Sequence, residues 1–287
     1  MNIIVAKNRL LRDIDKKGLM GAVVVHGGQI YSYEDVGKAS DFVENLFGKT
    51  FFKKGVERIK DSDPSGAGMG REFSGEGAAK LFLAWHRVRE ELAFGGLDGI
   101  YRPGRYGALL GSIWEDLLSL CGLPGVEQTA AGLMDDQTFE KTIFLLSVAS
   151  RIFISQKNII FPGPGLDYFY DQNYVYTCVS PGPGRMTPFH SPGEIWSAAP
   201  PTAGCGKRQQ LLYIDMTQSD QPLTHNKYIF TENNIENSST VAAVLCKMEF
   251  PSGTAGYFRK LSCCPIINEK TPGLAKAEGI LRLNIPG

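Results

Sequence analysis

The sequence predicts an α+β protein: a helix-rich N-terminal half, residues 1–160, packed on a mainly antiparallel, β-rich C-terminal half, residues 161–287. Three observations carry that reading. Apolar residues recur at intervals of three and four through the first half. Beyond Pro201 they contract into runs of five to ten residues, rich in β-branched and aromatic side chains and separated by Asx-, Ser-, Pro- and Gly-rich turns. Between the two patterns, residues 161–201 hold two Pro-Gly-Pro-Gly corners that neither a helix nor a sheet ladder can cross. At 287 residues and 43% hydrophobic content, the chain is long enough for one large core or for two smaller domains.

The first half opens with a short charged helix over residues 6–17, ended by Gly18. Met20–His26 and Gln29–Tyr33 then read as a short N-terminal hairpin turned at Gly27-Gly28. Val36, Phe42, Val43, Leu46 and Phe47 give Glu34–Phe47 helical spacing, with Gly48 as the stop. Leu81, Trp85, Val88 and Leu92 mark an amphipathic core helix ended by Gly95-Gly96. Leu109, Leu110, Ile113, Leu117 and Leu120 mark a second helix, closed by Gly122-Leu123-Pro124-Gly125. A third begins near Asp135-Asp136, whose carboxylates suit a helix N-terminus; from Phe139 to Ile154 it is apolar almost all round and is expected to be buried. His26 reads as an edge residue and His86 as a partly buried structural histidine.

In the junction, the aromatic run Tyr168–Tyr176 reads as a hairpin turned at Asp171-Gln172-Asn173. After the second corner come Arg185, His190, Ser191, Glu194 and Trp196, in a stretch that Pro188, Pro192 and Gly193 keep irregular. A loop histidine beside a carboxylate suits a general base and its orienting partner; a metal would need a third ligand that the spacing does not name. The structural alternative is that His190 and Glu194 bond to loop backbone. Strands are expected at 211–215, 227–231, 241–250, 256–261 and 279–285, in an antiparallel sheet, sandwich or barrel. His225 falls in a turn.

Thirty basic and thirty acidic side chains cancel, so no whole-protein field draws nucleic acid or an anionic membrane. Lys53, Lys54, Arg58 and Lys60, with Arg71 nearby, form a local basic group that would serve nucleic acid, although a run of this length is ordinarily a solvated face. The Gly-rich loop 63–71 and Gly204-Cys205-Gly206-Lys207-Arg208 both fail the phosphate-loop pattern, because neither has Lys followed by Ser or Thr. Six cysteines with no CxxC pair read as free thiols, and neither cofactor nor metal is expected. No uncharged apolar run approaches the length of a membrane span, and Met1–Ala6 is too short for a signal-peptide core, so a soluble cytoplasmic protein is expected.

Two functions are compatible with these features. The first is a structural or interaction protein that self-assembles into a homo-oligomer, a coat- or shell-like subunit, suggested by the aromatic and Gly-Pro loops. The second is a hydrolase or transferase with its site at the junction, built from His190, Glu194 and Arg185, with Tyr170 or Asp215 in support.

Overall fold

Helices and strands segregate along the chain as the two periodicities predict. The computed structural model describes residues 25–31, 33–62, 77–94, 105–155, 158–163, 165–180, 208–217, 240–250 and 257–267. Its helices are α1 (Tyr33–Phe47), α2 (Lys49–Ser62), α3 (Ala79–Phe94), α4 (Arg105–Leu120), α5 (Val126–Ala130) and α6 (Phe139–Ser155), with a 3-10 turn over Ala131–Met134. Its strands are β1 (Val25–Tyr31), β2 (Tyr168–Tyr170), β3 (Tyr174–Val179), β4 (Gln209–Asp215), β5 (Thr240–Glu249) and β6 (Tyr257–Ile267). The strands form one six-stranded sheet in the order β1-β6-β5-β4-β3-β2. The fold is therefore α+β, with the helices mostly in the N-terminal half and most of the sheet in the C-terminal half.

Each predicted core helix forms within a few residues of its expected bounds, because each apolar stripe finds a partner. Helix α4 is the hub: it packs against α1, α3 and α6 and also against β6 and β1. Its buried face includes Leu109, Leu110, Ile113, Leu117 and Leu120. Gly111 lets it approach the sheet, since a Cβ there would lie 2.8 Å from the ring of Tyr31 on β1. Helix α6, apolar on nearly every side, is buried from Ile143 to Ile152. Asp135 starts it as a helix cap: its carbonyl accepts from Phe139 N at 2.9 Å, while its carboxylate accepts from Gln137 N at 2.8 Å and Thr138 N at 3.1 Å. One apolar cluster joins helix residues such as Leu110, Phe144 and Leu146 to sheet residues such as Phe169, Tyr213 and Val244.

Two expectations need correction. The N-terminal hairpin is not formed: Gly27 and Gly28 lie inside β1, opposite Leu261 and Lys260 of β6. The turn preference of a Gly-Gly pair yields here to a ladder supplied by a strand far away in sequence. The sheet is also mixed. Pairs β1–β6, β5–β6 and β2–β3 are antiparallel as expected, but β3–β4 and β4–β5 are parallel. Their connections, residues 180–208 and 216–239, each exceed the dozen residues that a parallel crossover requires. Parallel strands in the middle of a sheet are buried on both faces, and Leu211, Leu212, Tyr213 and Ile214 are all buried. The hairpin at Asp171-Gln172-Asn173 forms as expected, pairing Phe169 with Tyr176. The helix expected at 6–17, the strands at 227–231 and 279–285, and the second Pro-Gly-Pro-Gly corner lie outside the described residues.

Candidate functional site

Three polar or half-exposed constellations stand out. The deepest lies between the helices and β6. Arg259, 1% exposed, donates Nη1 to Asp116 Oδ2 at 2.7 Å and Nη2 to Asp116 Oδ1 at 3.1 Å, a bidentate pair that joins β6 to α4. Ser147 and Ser150 of α6 donate to the same carboxylate, each at 2.7 Å, and Tyr31 donates to Glu115 at 2.7 Å. Burial pushes the Asp116 carboxyl up, but the charge and hydrogen bonds of Arg259, with help from Arg151 and Ser147, outweigh it and hold Asp116 below the usual carboxylate range. Both Asp116 oxygens are thus committed to protein partners. The network acts as an internal cross-link.

The second constellation sits where β3 and β4 end. Asp215, the last residue of β4, is buried; its Oδ1 accepts from Thr217 N at 2.9 Å and its Oδ2 from Ser180 Oγ at 3.3 Å. Burial pushes this carboxyl up; hydrogen bonds from Thr217 and Ser180 act against the shift, and Glu140 adds to it. Cys178, on β3, is raised in the same way, first by burial and then by Asp167 and Asp215. Around them lie the ion pairs Lys80–Glu140 and Lys141–Asp167. Asp215 is thus a buried acid at the carboxyl ends of the parallel strands β3 and β4. The residues that follow Ser180 include Arg185, His190 and Glu194.

The third lies at the sheet's outer edge. The Asp171 carboxylate closes the hairpin by accepting from Asn173 N at 2.7 Å and Tyr174 N at 2.8 Å, and it also accepts from Tyr176 Oη at 2.8 Å. Arg208 donates to the Asp171 carbonyl at 2.7 Å and stacks 4.8 Å from the centre of the Tyr170 ring. Ile160 bridges to Tyr170 through two backbone hydrogen bonds of 2.8 and 3.1 Å. Its side chain is 37% exposed, and that of Leu166 is 44% exposed, beside half-buried Tyr168 and Tyr170.

Compared with known proteins, the chain matches no family model, no curated protein and no solved structure.

Of the residues singled out from sequence, Tyr170 and Asp215 are described, and they belong to different constellations: Tyr170 to the outer edge, Asp215 to the strand ends. Arg185, His190 and Glu194 lie outside the described residues. Lys53, Lys54, Arg58 and Lys60 are all exposed on α2, interleaved with exposed Glu57 and Asp61, which weakens their joint field. His86 is half-buried, 3.3 Å from Glu90; burial lowers its proton affinity more than Glu90 raises it. Among the described residues, no three His, Cys, Asp or Glu side chains gather as a metal site would require, and no helix is long and apolar enough to cross a membrane. The buried Asp116–Arg259 pair was missed. Its signal was an acid on the apolar stripe of α4, three residues after Ile113 and four before Leu120.

Proposed function

We propose that the chain is a structural subunit that assembles with copies of itself, using the outer edge of the sheet at β2 as a contact surface. The observation that carries this is the exposure of Ile160 and Leu166 beside Tyr168 and Tyr170 on the terminal strand. Aromatic side chains supply contact area with few rotors to freeze, and Arg208 held over Tyr170 adds a pre-ordered polar rim. Because Ile160 already takes up the backbone groups of Tyr170, contact between copies would run through side chains rather than through an extended ladder. The test is light scattering over a range of concentration and salt. Wild type is expected to form a discrete oligomer, and Ile160→Glu combined with Leu166→Glu is expected to release monomers with an unchanged far-ultraviolet spectrum. A wild-type protein that stays monomeric throughout would sink this reading.

A second reading, a hydrolase or transferase, is favoured by one specific observation: buried Asp215 at the strand ends, next to Ser180. Here the acid would serve as a proton donor, with His190, Glu194 and Arg185 supplied by the segment after Ser180. Asp215→Asn, His190→Ala and Glu194→Gln should each abolish turnover of chromogenic esters or phosphate esters while leaving the fold intact. Absence of turnover in the wild type would remove it.

A further inference from the structure

We propose that α2 is a docking surface for a nucleic-acid duplex, gripped through the phosphates of its two backbones by Lys53, Lys54, Arg58 and Lys60. All four side chains are exposed. They differ from the other lysines whose side chains are described: Lys38, Lys49, Lys80, Lys141 and Lys247 each pair with a carboxylate of the chain. Among the described residues, no carboxylate forms an ion pair with Lys53, Lys54, Arg58 or Lys60, although Glu57 and Asp61 lie on the same helix. Lys53 precedes Glu57 by four residues, the weaker order for a helical ion pair. Four unpaired cations on one element have no task inside the fold.

Packing holds these charges on a fixed rod. The opposite face of α2 is committed to α3: Phe52 stacks on the Trp85 ring with centroids 5.1 Å apart, and Phe51 meets the Phe82 ring at 4.8 Å. Gly55 permits the approach, since a Cβ there would lie 2.3 Å from the Phe82 ring. Helical spacing sorts the outer face into rows. Lys53 and Lys60, seven apart, form one; Lys54 and Arg58, four apart, form another; Glu57 and Asp61 run between them. His86 on α3 registers the field: burial is the first cause of its lowered proton affinity and Glu90 opposes it, but Lys60 and Arg87 lower it further.

The two rows suit a duplex. A helix about 10–12 Å across with its side chains enters a major groove about 12 Å wide. Each basic row then meets one of the bounding backbones, and the acidic row lies over the groove rather than on a phosphate. Lys53 to Lys60 covers about 10 Å of helix axis, and a similar length of duplex carries about six charges. The exposed residues of α2 include no aromatic on which unpaired bases could stack, which disfavours a single strand. An anionic membrane fits less well, because a helix bound in its surface buries an apolar face there, and that of α2 is already inside the protein. A second copy fits less well too: on neighbouring α1, Glu34 already holds Lys38, and Asp41 and Glu44 already hold Arg89. The contact lies on a different element from the β2 edge and does not depend on assembly there.

The test is fluorescence anisotropy of short labelled DNA duplexes of two unrelated sequences, titrated with the full chain over a range of salt. Binding is expected to be independent of sequence, with log affinity falling against log salt at a slope of about −3 to −4 for four phosphate contacts. Lys53→Gln, Arg58→Gln and Lys60→Gln should each make that slope shallower by about 1, and Glu57→Gln should tighten binding, all with an unchanged far-ultraviolet spectrum. Undetectable binding at low salt would overturn the proposal. So would a slope indifferent to these substitutions, or tighter binding to vesicles containing phosphatidylserine than to the duplex.

Discussion

Arg259 and Asp116 illustrate what a buried charge demands at the scale of a single residue. Neither could be held away from water alone; together, with Ser147 and Ser150, every carboxylate oxygen finds a donor. Removing one partner is the costly change. Asp116→Asn would leave Arg259 with Glu115, at 3.6 Å, as its nearest carboxylate, and should destabilise the fold by about 3 to 5 kcal/mol in urea titration. Exchanging both partners for apolar residues of similar volume should cost far less. The two buried acids also carry opposite pH signatures. Asp116 has a depressed pKa in the fold, so its stabilisation is fully present above the ordinary carboxylate pKa and is lost as pH falls toward the folded value. Asp215 has a raised pKa: the fold binds its proton more tightly than the unfolded chain does, and stability falls as pH rises from the ordinary carboxylate value through the folded one. Asp215→Asn should therefore flatten the loss of stability on that rising limb, whereas Asp116→Asn should flatten the acid limb, both read from melting temperature against pH.

At the scale of elements, local signals set what forms and distant pairing sets how it is arranged. Leu81, Trp85, Val88 and Leu92 made α3 legible because helical spacing is written in the sequence itself. Asp135 was legible as a start signal for the same reason, and Asp135→Ala should cost about 1 kcal/mol by chemical denaturation, through two lost caps on α6. Strand direction was not legible. The apolar run Leu211–Ile214 reads the same whether its neighbours run with it or against it, so the parallel centre of the sheet could not be separated from an antiparallel one. Gly27-Gly28 misled for a related reason: composition reports what a pair can do, while β6 determines what it does. The candidate site was legible only in fragments. Asp215 and Tyr170 lie in short stretches with clear strand patterns, but of the partners that give Asp215 its character only Thr217 is a sequence neighbour, and Ser180 meets it only through the pairing of β3 with β4.

For the molecule as a whole, the order of the sheet has a kinetic meaning. Val25 pairs with Cys263, so one rim of the sheet joins two stretches far apart in sequence, the second synthesised much later than the first. Among the described residues, six helices and four strands lie between them. Contacts this remote in sequence close slowly, because a long loop must be gathered before any pairing rewards it. Pulse-labelled hydrogen exchange during refolding should find amides of α4 and α6 protected first and those of β1 last; simultaneous protection would argue for a single concerted step. On the ribosome, a nascent chain would already carry its helical layer while β1 still awaited β6, and for that interval Tyr31 and the face of α4 at Gly111 would be open to whatever the cell offered.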